Sequence, residues 1–156
     1  MISKTLGKLK FTPATPKDLD EIASAFTDTK LNPYPSQRFS HDVEKMMRPI
    51  LLSGLLNPNR KLLIARDSKK KPVAFIILGG NEKSVFLFLS GVWPAWRGKG
   101  IFRHIIESLI TTLPKNGMIT ILSHPEHQIA NRQLQKVGYK LQGSFEDVVY
   151  YVRRNL

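Results

Sequence analysis

Arg97-Gly98-Lys99-Gly100 lies between an unbroken apolar run, Val85-Phe86-Leu87-Phe88-Leu89, and a helix-forming stretch from Ile101 to Leu113. Two glycines alternate with two cations where a buried strand must turn into a helix. That combination suits an anion. Glycine lets backbone come close to a ligand, and the first turn of a helix offers unpaired N–H groups at the positive end of its dipole. Phosphate or pyrophosphate is the natural guest. Val92, Arg97, Gly98, Lys99, Gly100, Phe102 and Arg103 are the residues that would border it. A Gly-rich turn without a ligand is the alternative for the Gly-x-Gly alone; the strand before it and the Val92-x-Pro94 lead favour the cradle.

The elements that must position this turn follow from periodicity. Lys8 to Phe11 alternates and reads as a first strand. Thr15 is a good N-cap, Pro16 fits the first helical position and Asp18 lies in the first turn. Leu19, Ile22, Ala23 and Phe26 then give one apolar helix face. Asn32-Pro33-Tyr34-Pro35-Ser36 cannot continue that helix. Ser40 can cap a second one, buried through Val43, Met46, Met47, Ile50 and Leu51, with Pro49 as a kink or a break.

Lys61 to Arg66 and Pro72 to Leu78 read as strands joined by a turn carrying Lys69, Lys70 and Lys71. A third strand, Ser84 to Val92, is apolar at consecutive positions, so coverage on both faces is expected. Ser90-Gly91 marks a bulge or close backbone approach within it. Met118 to Leu122 reads as its neighbour, so strand, helix and strand form a right-handed crossover with the cradle at the carboxyl end of the first strand. Ala130 to Val137 is a short helix closed by Gly138, followed by strands at Lys140 to Phe145 and Val148 to Arg153.

Val92-x-Pro94-x-x-Arg97-Gly98-Lys99-Gly100-Ile101 resembles motif A of the GNAT N-acetyltransferase superfamily, whose loop holds the pyrophosphate of acetyl-CoA. The family pattern is Gln/Arg-x-x-Gly-x-Gly/Ala. Five of its six places are ordinary here, and Phe102 stands where Gly or Ala is usual. His127-x-x-Ala130-x-x-x-Leu134-x-Lys136-Val137-Gly138-Tyr139 is similar to motif B, Asn-x-x-Ala/Ser-x-x-x-Tyr-x-Lys-x-Gly-Phe. There His127 replaces an Asn that touches pantetheine, and Leu134 replaces the Tyr that protonates the leaving thiolate. The opening strand and helix fit the same family, so the resemblance runs from Lys8 to Arg154. It implies an α/β GNAT fold in a single domain over 1–156: a mixed, mostly antiparallel sheet of six to seven strands with about four helices. It also implies acetyl-CoA as co-substrate and an acceptor pocket shaped between the first two helices. Tyr34, Arg38 and His41 are the residues of that region able to contact a substrate, with ordinary surface decoration as the alternative.

Acyl transfer from a thioester to an amine needs a polarised carbonyl, a deprotonated amine and a proton for the departing sulfur. The backbone at Gly91-Val92 is the candidate donor to the carbonyl. Leu87 to Leu89 offer no carboxylate, so the nearest titratable candidates for the base are His124 and His127, placed by the motif register beyond the Met118–Leu122 strand; His124 is the favoured base, and the resemblance implies His127 as a pantetheine contact. An unperturbed histidine titrates near pH ~6.5, within reach of this work through a water. A loop histidine without chemistry is the alternative. Tyr150 and Tyr151 point to opposite faces of the last strand, and core packing is the expected use of each.

Composition bounds the rest. At 156 residues the chain can bury a proper core. It has no cysteine, which excludes disulfides, thiol nucleophiles and Cys-rich zinc sites. No apolar stretch approaches the ~20 residues of a membrane span, and no signal-peptide core follows Met1. A cytoplasmic, metal-independent enzyme, monomeric or homodimeric, is therefore expected. The net charge of +12 would attract CoA, an acidic acceptor or nucleic acid. Two other readings stand beside an N-acetyltransferase acting on a small-molecule or protein amine. One is a GNAT-fold CoA- or partner-binding protein that has lost catalysis. The other is an acyltransferase directed at tRNA or another nucleic acid.

Overall fold

A computed structural model describes residues 4–6, 9–27, 43–125, 127–146 and 148–156. Tyr34, Arg38 and His41, together with the proposed Ser40 cap, lie outside them. The elements run β1 (Lys4–Leu6), β2 (Leu9–Pro13), α1 (Pro16–Thr27), α2 (Val43–Leu56), β3 (Arg60–Arg66), β4 (Pro72–Gly80) and β5 (Ser84–Val92). After them come α3 (Ile101–Thr111), β6 (Met118–Ser123), α4 (Gln128–Lys136), β7 (Lys140–Phe145) and β8 (Val148–Arg154). Among the described residues eight strands form one sheet in the order β1-β2-β3-β4-β5-β6-β8-β7. β5 and β6 are its parallel pair; every other neighbouring pair is antiparallel. The sheet has one strand more than periodicity suggested, because three residues at Lys4–Leu6 are too few to show alternation.

The local signals act as chemistry requires. Thr15 precedes α1, and Asp18 reaches back to its backbone N–H (2.8 Å) and hydroxyl (3.1 Å), an acidic version of the capping box. Arg66 on β3 then bonds Asp18 (2.5 Å) and Glu21 (2.7 Å), which ties α1 to the sheet. The lysine turn between β3 and β4 is organised by Asp67, whose Oδ1 accepts the backbone N–H groups of Lys69 and Lys71. α2 runs unbroken through Pro49, whose ring is exposed. α4 closes in a Schellman arrangement: Tyr139 N–H donates to Leu134 O and Gly138 N–H to Gln135 O.

Two apolar clusters sit on the two faces of the sheet. One joins Leu19, Ile22, Ala23 and Leu51 of α1 and α2 to Leu62, Ile64, Phe75 and Ile77. The other joins Ile105, Ile106, Leu109 and Ile110 of α3 to Ile76, Leu87, Ile119, Ile121, Leu134 and Tyr151. Tyr139 is 1% exposed and donates its hydroxyl proton to Ile106 O (2.8 Å), fixing the end of α4 against α3. Tyr151 belongs to this core, and burial pushes its hydroxyl pKa up.

β5 departs from expectation in two ways. Only Leu87 of its nine residues is buried; the rest are partly exposed, although the strand lies centrally in the sheet. Beyond Leu87 the reason is that its partner leaves it. Pairing with β6 runs from Ser84↔Met118 to Leu87↔Ile121 and stops, while β5 continues to Val92. The bulge is not at Ser90-Gly91 either. The β4–β5 register shifts between Ile77↔Leu89 and Leu78↔Leu87, so Phe88 is the extra residue. The expected splay is therefore present, with its bend at Phe88 and the open edge beyond it.

Candidate active site

The gap left where β5 and β6 part is a cavity of about 510 Å³. Ser90, Gly91 and Val92 of β5 line it, together with His127 at the entry to α4 and Ala130 and Gln133 within that helix. Phe75 and Trp93 border it, their rings edge to face with centroids 5.8 Å apart. Arg97, Gly98, Gly100, Ile101 and Phe102 complete it at the start of α3. An extended polar chain could thus run along the open edge of β5 and end at a helix N-terminus.

That N-terminus is built to leave donors open. Trp93-Pro94-Ala95-Trp96 folds into a single 3-10 turn and delivers the chain to Gly98 (φ 73°) and Gly100 (φ 77°, ψ 16°). These left-handed conformations strain any residue with a Cβ, which explains both glycines. The first helical bond is His104 N–H to Gly100 O (2.9 Å), and no side chain caps the turn. The N–H groups at the start of α3 therefore remain for an anion.

The sequence-derived residues divide. Val92, Arg97, Gly98, Gly100, Phe102 and His127 all line the cavity. Arg97 donates from Nε to Val92 O (3.0 Å), so the same contact braces strand end and cradle. Lys99 stands outside the wall with its Nζ over the Trp96 ring, 5.1 Å from the centroid. Arg103 also lies off the wall, held by Glu107 at 2.8 Å one turn further along α3. Phe102 is half-buried, touching both the α3 cluster and the cavity.

His124 is 8% exposed and is not part of the cavity wall. Its backbone carbonyl accepts His127 N–H (3.0 Å) and Asn131 Nδ2 (3.0 Å), and Asn131 Oδ1 takes the Ser123 hydroxyl (2.6 Å). This network fixes the entry to α4 and presents His127 to the cavity. Burial holds the His127 pKa below the usual histidine value, helped by the nearby charges of Arg97 and His124. His127 is thus neutral at neutral pH. Leu134 is fully buried in the core and offers no proton donor. Gln133, the residue before it, faces the cavity instead. Sequence reasoning passed over it because the motif directs attention to position 134, though 127, 130 and 133 form one i, i+3 row. Phe75 and Trp93 were also missed, the first a lone aromatic in a strand pattern and the second the variable position of the Val92-x-Pro94 lead, and Ser90 was noted only with Gly91 as a bulge or close approach. Among the described residues no cluster of three His, Asp or Glu could hold a metal, and no helix is long and apolar enough to cross a membrane.

A splayed parallel pair, with an uncapped helix N-terminus after its first strand, matches the acetyltransferase (GNAT) family, whose model covers residues 19–139. The chain belongs to that family, and it is an acetyl-CoA-dependent N-acetyltransferase. No curated protein matches it in sequence. Solved structures with the same fold include an acetyltransferase from Thermus thermophilus (TM-score 0.71, 17% identity, 97% of this chain and 99% of that one). Another is the spermidine N-acetyltransferase from Vibrio cholerae in complex with CoA and spermine (0.66, 16%, 95% and 96%). A third is a phosphinothricin acetyltransferase from Sinorhizobium meliloti in complex with AcCoA (0.64, 16%, 99% and 89%). At these identities the likeness is one of fold.

Proposed function

We propose that acetyl-CoA lies along the open edge of β5 with its pyrophosphate at Gly98–Phe102, and that the acetyl group passes directly to an amine in a ternary complex. The observation that carries this reading is the end of β5–β6 pairing at Leu87↔Ile121, five residues before the strand itself ends at Val92. Those residues leave backbone groups for the amides of the arm. The cavity they border leads to an uncapped helix start.

In the transfer, the amine nitrogen attacks the thioester carbon, the C–N bond forms and the C–S bond breaks. Backbone N–H at Gly91–Val92 stabilises the carbonyl oxygen as it gains charge. The ammonium proton passes through water to the neutral imidazole of His127. Of the two histidine candidates we assign this role to His127, the one that lines the cavity. The thiolate leaves without a dedicated acid, since a thiol near pKa ~8.5 is already a fair leaving group and takes its proton from solvent.

For the acceptor, the net charge of +12 disfavours a polycation and favours a neutral or acidic amine, in a small molecule or a protein. Tyr34, Arg38 and His41 are its proposed contacts, and the cytoplasm its proposed compartment. The test is CoA release from acetyl-CoA over a panel of amino acids, N-terminal peptides, polyamines and aminoacyl-tRNA. Turnover with a neutral or acidic amine is expected; a preference for spermidine or tRNA overturns this choice of acceptor.

A further inference from the structure

We infer that Gln133 holds the amide-bearing arm of the acetyl donor, its Oε1 accepting a hydrogen bond from one of the arm's secondary amide N–H groups. The inference rests on the acetyl-CoA reading above. Among the described residues, Gln133 Oε1 is the buried side-chain oxygen or nitrogen without a hydrogen-bond partner. Leaving such an atom unpaired is costly in a folded protein, so its position calls for a partner.

The cavity is the open space beside it, reached when the side chain turns its closed-off oxygen toward the wall that Gln133 lines. Gln133 lines it on the same helical row as His127 and Ala130, while Leu134, about 100° further round the helix, is fully buried in the core. The adjacent wall is short of donors: Ala130, Ile129 and Phe102 present only carbon. An oxygen there selects a ligand that donates. Acetyl-CoA brings two donors of this kind in the arm, and its thioester brings none. Gln133 also lies about 9 Å from His127 along this row. A chain leaving the pyrophosphate passes that row with its amides. An acceptor amine is the competing donor. However, the segment proposed to shape its pocket joins α1 to α2, which pack on the opposite face of the sheet from α3.

The experiment compares wild type with Gln133→Met in titrations of CoA, desulfo-CoA and adenosine 3′,5′-bisphosphate, which carries the nucleotide and the first of the pyrophosphate's two phosphates but no arm. CoA and desulfo-CoA should each bind about tenfold more weakly to the variant, and the bisphosphate within about twofold of wild type. The ligand-free variant should melt at or above wild type, since an unpaired buried oxygen has gone. Gln133→Leu repeats the comparison with a stiffer side chain. Unchanged CoA affinity overturns the assignment, as does equal weakening of the bisphosphate. A raised acceptor KM with CoA binding intact overturns it too, by placing Gln133 against the acceptor. Wild type binding neither CoA nor the bisphosphate overturns the acetyl-CoA reading itself, a failure visible before any substitution is made.

Discussion

Phe75 and Gly91 are paired across the β4–β5 ladder, and the Phe75 ring occupies the space a side chain at 91 would need. A methyl group there would stand 2.3 Å from Phe75 Cε1 and 2.9 Å from Cζ. The glycine therefore lets one aromatic ring form the cavity floor while packing edge-on to Trp93. Gly91→Ala should destabilise the protein by about 2–3 kcal/mol, the upper part of the range for overfilling a packed site. It should also weaken CoA binding, because the displaced ring moves toward the cavity. Thermal melts and CoA titration check both; a melt equal to wild type contradicts the packing.

Gly100 separates fold from binding. Nothing lies within 4 Å of a Cβ added there, so a side chain meets only the conformational penalty of φ 77°. Gly100→Val should cost roughly 1–2 kcal/mol of stability. CoA affinity should fall by roughly 100-fold or more, the loss of about two charge-assisted bonds to phosphate. Calorimetric titration of CoA against the folded variant decides it.

Phe102 is half-buried rather than part of the closed core. Phe102→Ala should therefore cost about 2 kcal/mol, below the ~3–5 kcal/mol of a fully buried Phe. The same change opens the cavity beside the helix start, so CoA affinity should rise. Chemical denaturation gives the first quantity and titration the second; a loss of the full core value would show that Phe102 closes inward in solution.

His127 makes the protein acid-sensitive in a defined direction. Its folded pKa lies below the unfolded value near 6.5, through burial first and then Arg97 and His124. Above pH ~6.5 both states carry neutral imidazole and the residue adds no slope. As pH falls through that value the unfolded chain takes up the proton first, so stability declines toward acid. His127→Asn should flatten the stability–pH curve below pH ~6.5. His127→Ala should lower turnover by ~10²-fold or more, and the acid limb of the wild-type rate profile should lie below the ordinary histidine range. His124→Ala should reduce turnover less than His127→Ala. The reverse order returns the base role to His124.

Much of this was legible in the chain. The Thr15–Asp18 cap, the Asp67 turn, the limits of β5 and the Gly138 stop depend on residues within a few positions of each other. Such local chemistry is visible in sequence. Gly98 and Gly100 likewise announced the left-handed turn into α3, because their conformation is a property of the backbone itself. What sequence could not decide was which neighbour each side chain meets. The departure of β6 from β5 after Leu87 depends on strands over thirty residues apart, and it left the last five residues of the strand, Phe88 to Val92, partly exposed. The placing of His124 behind the wall and His127 on it turned on a network through Asn131. Gln133 and Leu134 differ by one helical step, yet one faces the cavity and the other the core. Sequence periodicity defines the rows of a helix, but only the packing of α4 against the sheet determines which row looks into the site.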